Sequence, residues 1–488
     1  MPSVLIIAPV FLPILLGFIF ILRPQLSRRK RNVISFILSI INLAIVIILV
    51  SGGTDCDFTL LRILDDVSIS FRMDELGKLF AVLVSILWPF SLLYSCEYME
   101  DEERQGKFFG FFMMTLGATL GIAFAKDILS LYIFYEILTL VTFPLVMHEM
   151  SEDALNAGKS YLTYMLGGAA FAFVGIIIVM QQSDSIIFKL GGNAMTGEYS
   201  KTIMTIVFFM MFCGFSVKAA MMPFGKWLIK AAVAPMPVTA LLHAVAVVKA
   251  GAFAIIRLIY YIFGADYLRG TWAQYVCILL AAGTILYGST MSVKEPHLKR
   301  RMAYSTISNL SYVIFGALLM SPMGMVGSLS HLIAHAVTKI GLFFCVGSIM
   351  HVTGKCYIYE IEGLGKKMKK IFICFTITAM SLIGVPQFLG FVSKFKLLTA
   401  SIDAGGVFAY IGAFAIIISA LLTAVYLFAV ILRGYFPKKG EVCEGYELCH
   451  DPGWKMMTPI VFSSICVILL GILWEPIVGV INSIAGIA

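Results

Sequence analysis

Apolar runs of about twenty residues follow one another along almost the whole chain, and this repetition leaves few folds open. About fourteen are visible, roughly at 3–22, 33–50, 76–95, 108–125, 128–147, 160–181, 202–229, 237–262, 272–292, 302–320, 323–350, 371–402, 405–432 and 456–486. A helix of that length spans the hydrocarbon core of a bilayer. A membrane β-barrel needs ten-residue segments of alternating polarity, whereas these runs are continuous. Composition agrees: 60% of the 488 residues are hydrophobic and 13% are charged, against about a quarter charged in soluble domains. The expected fold is an all-α integral membrane protein with about 14 transmembrane helices.

Basic residues set the expected orientation. Arg23, Arg28, Arg29, Lys30 and Arg31 follow the first run, which places that end in the cytoplasm and the N-terminus outside. Alternate loops then carry Lys294, Lys299, Arg300 and Arg301, next Lys355, Lys366, Lys367, Lys369 and Lys370, and last Arg433, Lys438 and Lys439. The opposite loops hold few basic groups, so both termini are expected outside. The net charge of +8 is mostly this bias and implies no nucleic-acid partner. The start "MPSVLIIAPV" has no basic segment before its apolar run, which argues against a signal peptide.

Nothing in the motifs points to a bound cofactor. The ten cysteines form no CxxC pair. Cys443, Cys449 and His450 lie close together in one loop, which we read as an ordinary exposed loop rather than a metal site. The tract "AGKS" (Ala157–Ser160) resembles the end of a phosphate-binding loop, but Asp153 stands where the first glycine belongs. The expectation is no metal, no redox centre and no nucleotide site in this chain.

Two runs are interrupted. The seventh, "SVKAAMMPFGKWLIKAAVAPMP", holds Pro223 and Gly225, and the twelfth, "MSLIGVPQFLGFVSKFKLL", holds Pro386 and Gly390. Proline removes a helix donor, and the freed backbone groups survive in lipid only against protein or water. The breaks lie five runs apart. Five is odd, so two copies of such a unit have opposite orientations, the pattern of inverted-repeat transporters. The expected organisation is N-terminal helices over 1–107, a first five-helix repeat over 108–262, a second over 263–433, and a C-terminal loop and helix over 434–488.

Charges at apparent membrane depth are the strongest functional signal. They are Glu136, Lys218, His243, Lys249, Arg257, His331, His335, Lys339, Lys394 and Lys396. Each costs at least about 2.5–3.5 kcal/mol at the bilayer centre, so the set must face protein or water. In "SLSHLIAHAVTKIGLFF", His331, His335 and Lys339 recur every four residues. They drift roughly 40° per step and rise about 6 Å, forming one stripe. Imidazoles titrate near neutrality, so the stripe suits proton relay. Glu136 is the one carboxylate deep in a run, and Lys218 is its candidate partner. At 4 Å such a pair gains about 4 kcal/mol at an effective dielectric near 20. Separating the two charges would release a proton, and reuniting them would recapture one. A path of lysines and histidines favours protons over sodium, which prefers several oxygen ligands. Participation of sodium elsewhere in an assembly stays open.

These motifs resemble the antiporter-like proton-channel superfamily: subunits of respiratory complex I, multisubunit cation/proton antiporters and membrane-bound hydrogenases. The resemblance runs roughly from Asp74 to Phe436 and rests on "PFGKWLIKAAVAPMPVTALLHA", "KRRMAYSTISNLSYV", "HLIAHAVTKIGLFF" and "GFVSK". It implies fourteen helices with two inverted five-helix repeats. It also implies a hydrophilic midplane axis through Glu136, Lys218, Lys249, His335, Lys339 and Lys394. Ile229 stands where the family pattern has proline, and Asn309 where it often has histidine. Lys394, in place of a glutamate, matches the distal, antiporter-type and hydrogenase-linked subunits.

The combined reading is a proton-translocating membrane subunit in a prokaryotic plasma membrane, doing no redox chemistry itself. Its partners would be other membrane subunits, including homologous antiporter-like ones. Glu136, Lys218, His243, Lys249, His331, His335, Lys339 and Lys394 would carry the protons. Two alternatives stay open here. An autonomous transporter of a small substrate predicts a roomy midplane pocket, and a scaffold subunit predicts charges that only lock helices together.

Overall fold

The structure, a computed structural model, describes residues 3–52, 57–64, 67–437 and 449–487. Cys443, Lys438 and Lys439, which entered the expectations above, lie outside the described residues. The chain forms α1 (Ala8–Leu22), α2 (Arg28–Ser51), β1 (Asp57–Leu64), β2 (Val67–Arg72), α3 (Glu75–Tyr98), α4 (Gln105–Phe124), α5 (Ile128–Val146), α6 (Glu152–Gln182) and α7 (Lys201–Lys218). Next come α8 (Lys226–Lys230), α9 (Met236–Ala244), α10 (Val247–Arg257), α11 (Ala265–Leu268), α12 (Trp272–Lys294), α13 (Leu298–Leu318) and α14 (Pro322–Thr353). The chain closes with α15 (Lys369–Ile383), α16 (Leu389–Ala404), α17 (Val407–Tyr435), α18 (Trp454–Ile472) and α19 (Trp474–Ile484). Among the described residues, twelve helices are long and apolar enough to cross a membrane. The fold is thus an all-α membrane protein, and its one described sheet is the antiparallel β1–β2 hairpin.

Local chemistry explains where helices start. Asp74, Asp127 and Ser151 each accept a backbone N–H from their helix's first turn, at Gly77, Ser130 and Ala154. Such caps satisfy donors that a helix leaves orphaned. The hairpin docks on one of them: Ser70 donates to Asp127 at 2.9 Å, and its N–H meets Ser130 Oγ at 2.9 Å.

The interruptions occur where proline and glycine were noted. α7 ends at Lys218 and α8 begins at Lys226, with Pro223 between them. α15 ends at Ile383 and α16 begins at Leu389, with Pro386 between them. Gly384 closes α15 with φ of 94°, and a Cβ there would stand 3.1 Å from Lys394 Cδ. Glycine is required there for both reasons. A third break, between α9 and α10, has neither proline nor glycine. There the Ala246 N–H reaches back five residues to the Leu241 carbonyl at 3.0 Å, a π-type bulge of the kind common at functional sites. The last apolar run also differs from expectation. It divides at Leu473 into α18 and α19, with Pro476 in the first turn of α19, where a proline lacking its N–H is tolerated.

The centre of the molecule is α14 with the α9–α10 pair. α14 packs against α9, α13, α15, α16 and α18, and α10 against α5, α7 and α13. Every residue of α9 and α10 is buried. The outer helices instead show large apolar side chains such as Leu15, Ile41, Phe171 and Phe414. A lipid-facing surface requires such side chains, and a water-facing one would bury them.

Candidate functional site

The membrane-depth charges gather on the central helices. Lys218 is the last residue of α7, where a helix's carboxyl end favours a cation. Its Nζ donates to the Tyr135 carbonyl and, at 3.0 Å, to Thr139 Oγ1, and it lies 3.3 Å from the Tyr135 ring centroid. All these partners are on α5. Glu136 is next to Tyr135 on the same helix, yet no Glu136–Lys218 oxygen–nitrogen contact within 4.0 Å occurs among the described ion pairs. The direct contact expected from sequence is therefore replaced by contact with Tyr135 and Thr139. Glu136 points about 100° further round the helix, within electrostatic reach of Lys218, and its Oε1 is buried without a partner.

From Lys218 the next station is close. Gly251, on the turn that carries Lys249, lies so near the Lys218–Ala219 peptide that a Cβ would be 2.5 Å from Ala219 N. Lys249 Nζ then meets His335 Nδ1 at 2.7 Å, joining α10 to α14. The His335 and His331 rings are 6.2 Å apart, centroid to centroid. His331 Nδ1 reaches Ser393 Oγ at 3.0 Å on α16, next to Lys394. Lys394 Nζ turns back to the Leu382 and Ile383 carbonyls at 2.7 and 2.9 Å, the last carbonyls of α15. Lysines and histidines thus follow one another from α7 through α10 and α14 to α16.

Two predicted residues form a branch. Lys339 donates to the Met302 carbonyl of α13 at 3.0 Å and lies 5.7 Å from the Phe343 ring centroid. The four-residue spacing drifts around α14, which turns Lys339 toward α13 while His335 faces α10. The His243 ring also packs on Phe343, tilted by 44° with centroids 4.9 Å apart. Both His243 ring nitrogens, and Nε2 of His331 and His335, are buried with no partner among the described residues. Buried polar atoms of this kind are ordinarily satisfied by water.

Two charges from the same list lie off this file. Arg257 is buried and forms a forked pair with Asp74, its Nη2 at 2.6 Å from Oδ1, beneath the rings of Phe188, Phe253 and Tyr261. Burial pushes the Asp74 carboxyl up, but Arg257 outweighs it and holds Asp74 below the usual carboxylate range. Lys396 is half-exposed on α16. Sequence reading missed Tyr135, Thr139, Tyr312 and Ser393. Tyr312 packs 5.0 Å from His331 and 5.6 Å from Lys394. It lay in the quoted "KRRMAYSTISNLSYV", but an uncharged ring in an apolar run carries no depth signal. A cavity of about 820 Å³ is walled by α2, α3, α14, α18 and α19 and holds none of the file's lysines or histidines. No cluster of three metal-ligating side chains occurs among the described residues.

Comparison with known proteins bears on this arrangement. The family model described as "NADH:quinone oxidoreductase/Mrp antiporter, TM" matches residues 125–423, more than half of the chain and every file residue. The chain belongs to this family. A second family model, the N-terminus of chain 5 of NADH-ubiquinone oxidoreductase (complex I), matches residues 64–109. Among curated relatives of this antiporter-like member is NADH-quinone oxidoreductase subunit N of Desulforudis audaxviator, 28% identical over 84% of this chain and 83% of that one. Subunit L of Mycobacterium tuberculosis is 29% identical, covering 80% of this chain. The Na(+)/H(+) antiporter subunit A1 of Staphylococcus haemolyticus is 30% identical over 68% of it. The chain spans 59% of that subunit L and 42% of that subunit A1. In fold, it matches a chain of the Mrp complex from Dietzia sp. with a TM-score of 0.87 at 20% identity, covering 99% of this chain and 97% of that one. It matches a chain of the archaeal membrane-bound sulfane sulfur reductase at 0.85 and 20% identity, covering 98% and 96%.

Proposed function

We propose that this protein is a proton-translocating membrane subunit of a multisubunit ion-pumping complex of the complex I, membrane-bound hydrogenase or Mrp type. The observation that carries this reading is the buried file running from Lys218 through Lys249, His335 and His331 to Lys394. Lys249 and His335 are in direct contact, the His335 and His331 rings stand 6.2 Å apart, and His331 meets Ser393 beside Lys394. Glu136 and Lys218 act as the switch, Lys249, His331, His335, Lys339 and His243 as the relay, and Lys394 as the terminal station. The relevant chain is built from fourteen crossings, with inverted five-helix repeats over 108–262 and 263–433. Its N- and C-termini lie outside a prokaryotic plasma membrane.

The need for partners follows from Glu136. It is only half-buried in this chain, and a carboxylate facing lipid at that depth costs about 2.5–3.5 kcal/mol. A neighbouring membrane subunit covering this face of α5 removes that cost. Partner subunits also supply the driving force, by electron transfer or by an opposing cation gradient.

The test is Lys218→Ala in the assembled complex, read by proton uptake into inverted membrane vesicles. The expected result is loss of translocation by at least tenfold with normal assembly on a native gel. Wild-type pumping by this variant would overturn the switch. Loss of assembly with residual pumping unchanged per complex would favour the scaffold reading.

A further inference from the structure

A smaller cavity, about 330 Å³, opens between the end of α1, the start of α4 and the end of α5. Its walls are apolar, from Ile21, Phe111, Pro144 and Leu145, and its rim carries Arg104 and Lys107. No carboxylate lines it, although Glu100, Asp101, Glu102 and Glu103 immediately precede Arg104. Arg104 and Lys107 are both exposed, and neither forms an ion pair among the described residues. By contrast, Glu100 pairs with Arg28 at 2.5 Å.

Helix polarity makes these two cations unusual. Arg104 is the N-cap of α4 and Lys107 lies in its first turn, and no side chain caps that end. The amino end of a helix carries partial positive charge from unsatisfied N–H groups, so it repels cations and attracts anions. A bound anion would relieve both the repulsion and the uncapped donors. His148 closes the wall against Phe108. Burial, aided by Arg104, lowers its pKa to about 4, so the ring is neutral at working pH and adds no third charge. The cavity lies at the membrane end that bears Arg23 and Arg28–Arg31, where basic pockets between helices recruit acidic lipids.

We propose that this cavity binds an anionic phospholipid. Its phosphate would sit between Arg104, Lys107 and the amino end of α4, and its first acyl carbons would lie along Phe111 and Ile21. The inference rests on the membrane fold and does not depend on the proton file.

The test uses the full chain in detergent, titrated with phosphatidylglycerol or phosphatidylcholine and read by native mass spectrometry. Phosphatidylglycerol is expected to bind at least tenfold more tightly, and the double variant R104A/K107A is expected to lose that margin. The control R29A/K30A should keep it. Equal binding of the two lipids by wild type, an unchanged margin in R104A/K107A, or an equal loss in the control each overturns the site. Displacement of the lipid by millimolar inorganic phosphate would make it a free-phosphate site, and also overturns it. Location is checked separately with Phe111→Trp, whose fluorescence should be quenched more by brominated phosphatidylglycerol than by brominated phosphatidylcholine. Quenching in the isolated chain but not in the assembled complex would give the cavity to a partner subunit's helix and refute the proposal.

Discussion

The two proline-bearing breaks each hold a buried lysine, but by different means. At the first, Lys218 ends α7 and reaches sideways to α5, to the Tyr135 carbonyl and Thr139, with Glu136 within electrostatic reach. At the second, Lys394 comes from beyond the break and folds back on the last carbonyls of α15, with no carboxylate among its contacts. Both use the negative end of a helix to hold a cation. Only the first adds a carboxylate, a group whose charge is opposite to the lysine's. The difference suggests a switch at α5–α7 and a fixed terminal station at α15–α16.

The largest expected effect separates those roles. Glu136→Gln removes the carboxylate's charge at nearly constant shape, and translocation should fall about a hundredfold, roughly 2.7 kcal/mol in barrier. An unchanged rate would leave the two breaks functionally alike. Next comes the junction between them. Lys249 and His335 touch at 2.7 Å, so K249A and H335A should be non-additive, the double variant pumping no worse than either single one. Additive losses in the same vesicle assay would mean that the two residues serve separate paths.

A smaller effect concerns the second break alone. Gly384→Ala places a Cβ at positive φ and 3.1 Å from Lys394 Cδ. It should destabilise the chain by about 1–2 kcal/mol, seen as a lower thermal midpoint in detergent. Gly283→Ala is the control, because a Cβ there meets nothing within 4 Å. The smallest effect is one of pH. Asp74 titrates below the ordinary carboxylate range in the folded chain. Its contribution is therefore present above that range and is lost as pH falls through the folded value. Asp74→Asn keeps a capping side chain but should flatten the acid limb of the thermal midpoint against pH. An unchanged limb would show that the Arg257 pair is not what acid breaks.

Much was readable from sequence because lipid punishes error. A charge at bilayer depth or a proline in a spanning run is too costly to persist without a role, so Glu136, Lys218, Lys249, His335 and Pro386 stood out unaided. The π-bulge at Val245–Ala246 left no such trace, since alanine and valine tolerate it silently. Tyr135, Thr139, Tyr312 and Ser393 also passed unnoticed, because neutral side chains are cheap at any depth and become informative only when a lysine or histidine is seen against them.

The sequence by itself determined the class of fold, the sites of the two proline breaks and the identity of the titratable groups. These follow from hydrocarbon thickness, the missing proline donor and the cost of charge in lipid. Only the tertiary structure decided which groups touch. It placed Lys218 on Tyr135 and Thr139, joined Lys249 to His335, sent Lys339 to α13, and took Arg257 out of the file to Asp74. Contacts between helices far apart in sequence depend on crossing geometry and side-chain direction, which no local pattern encodes.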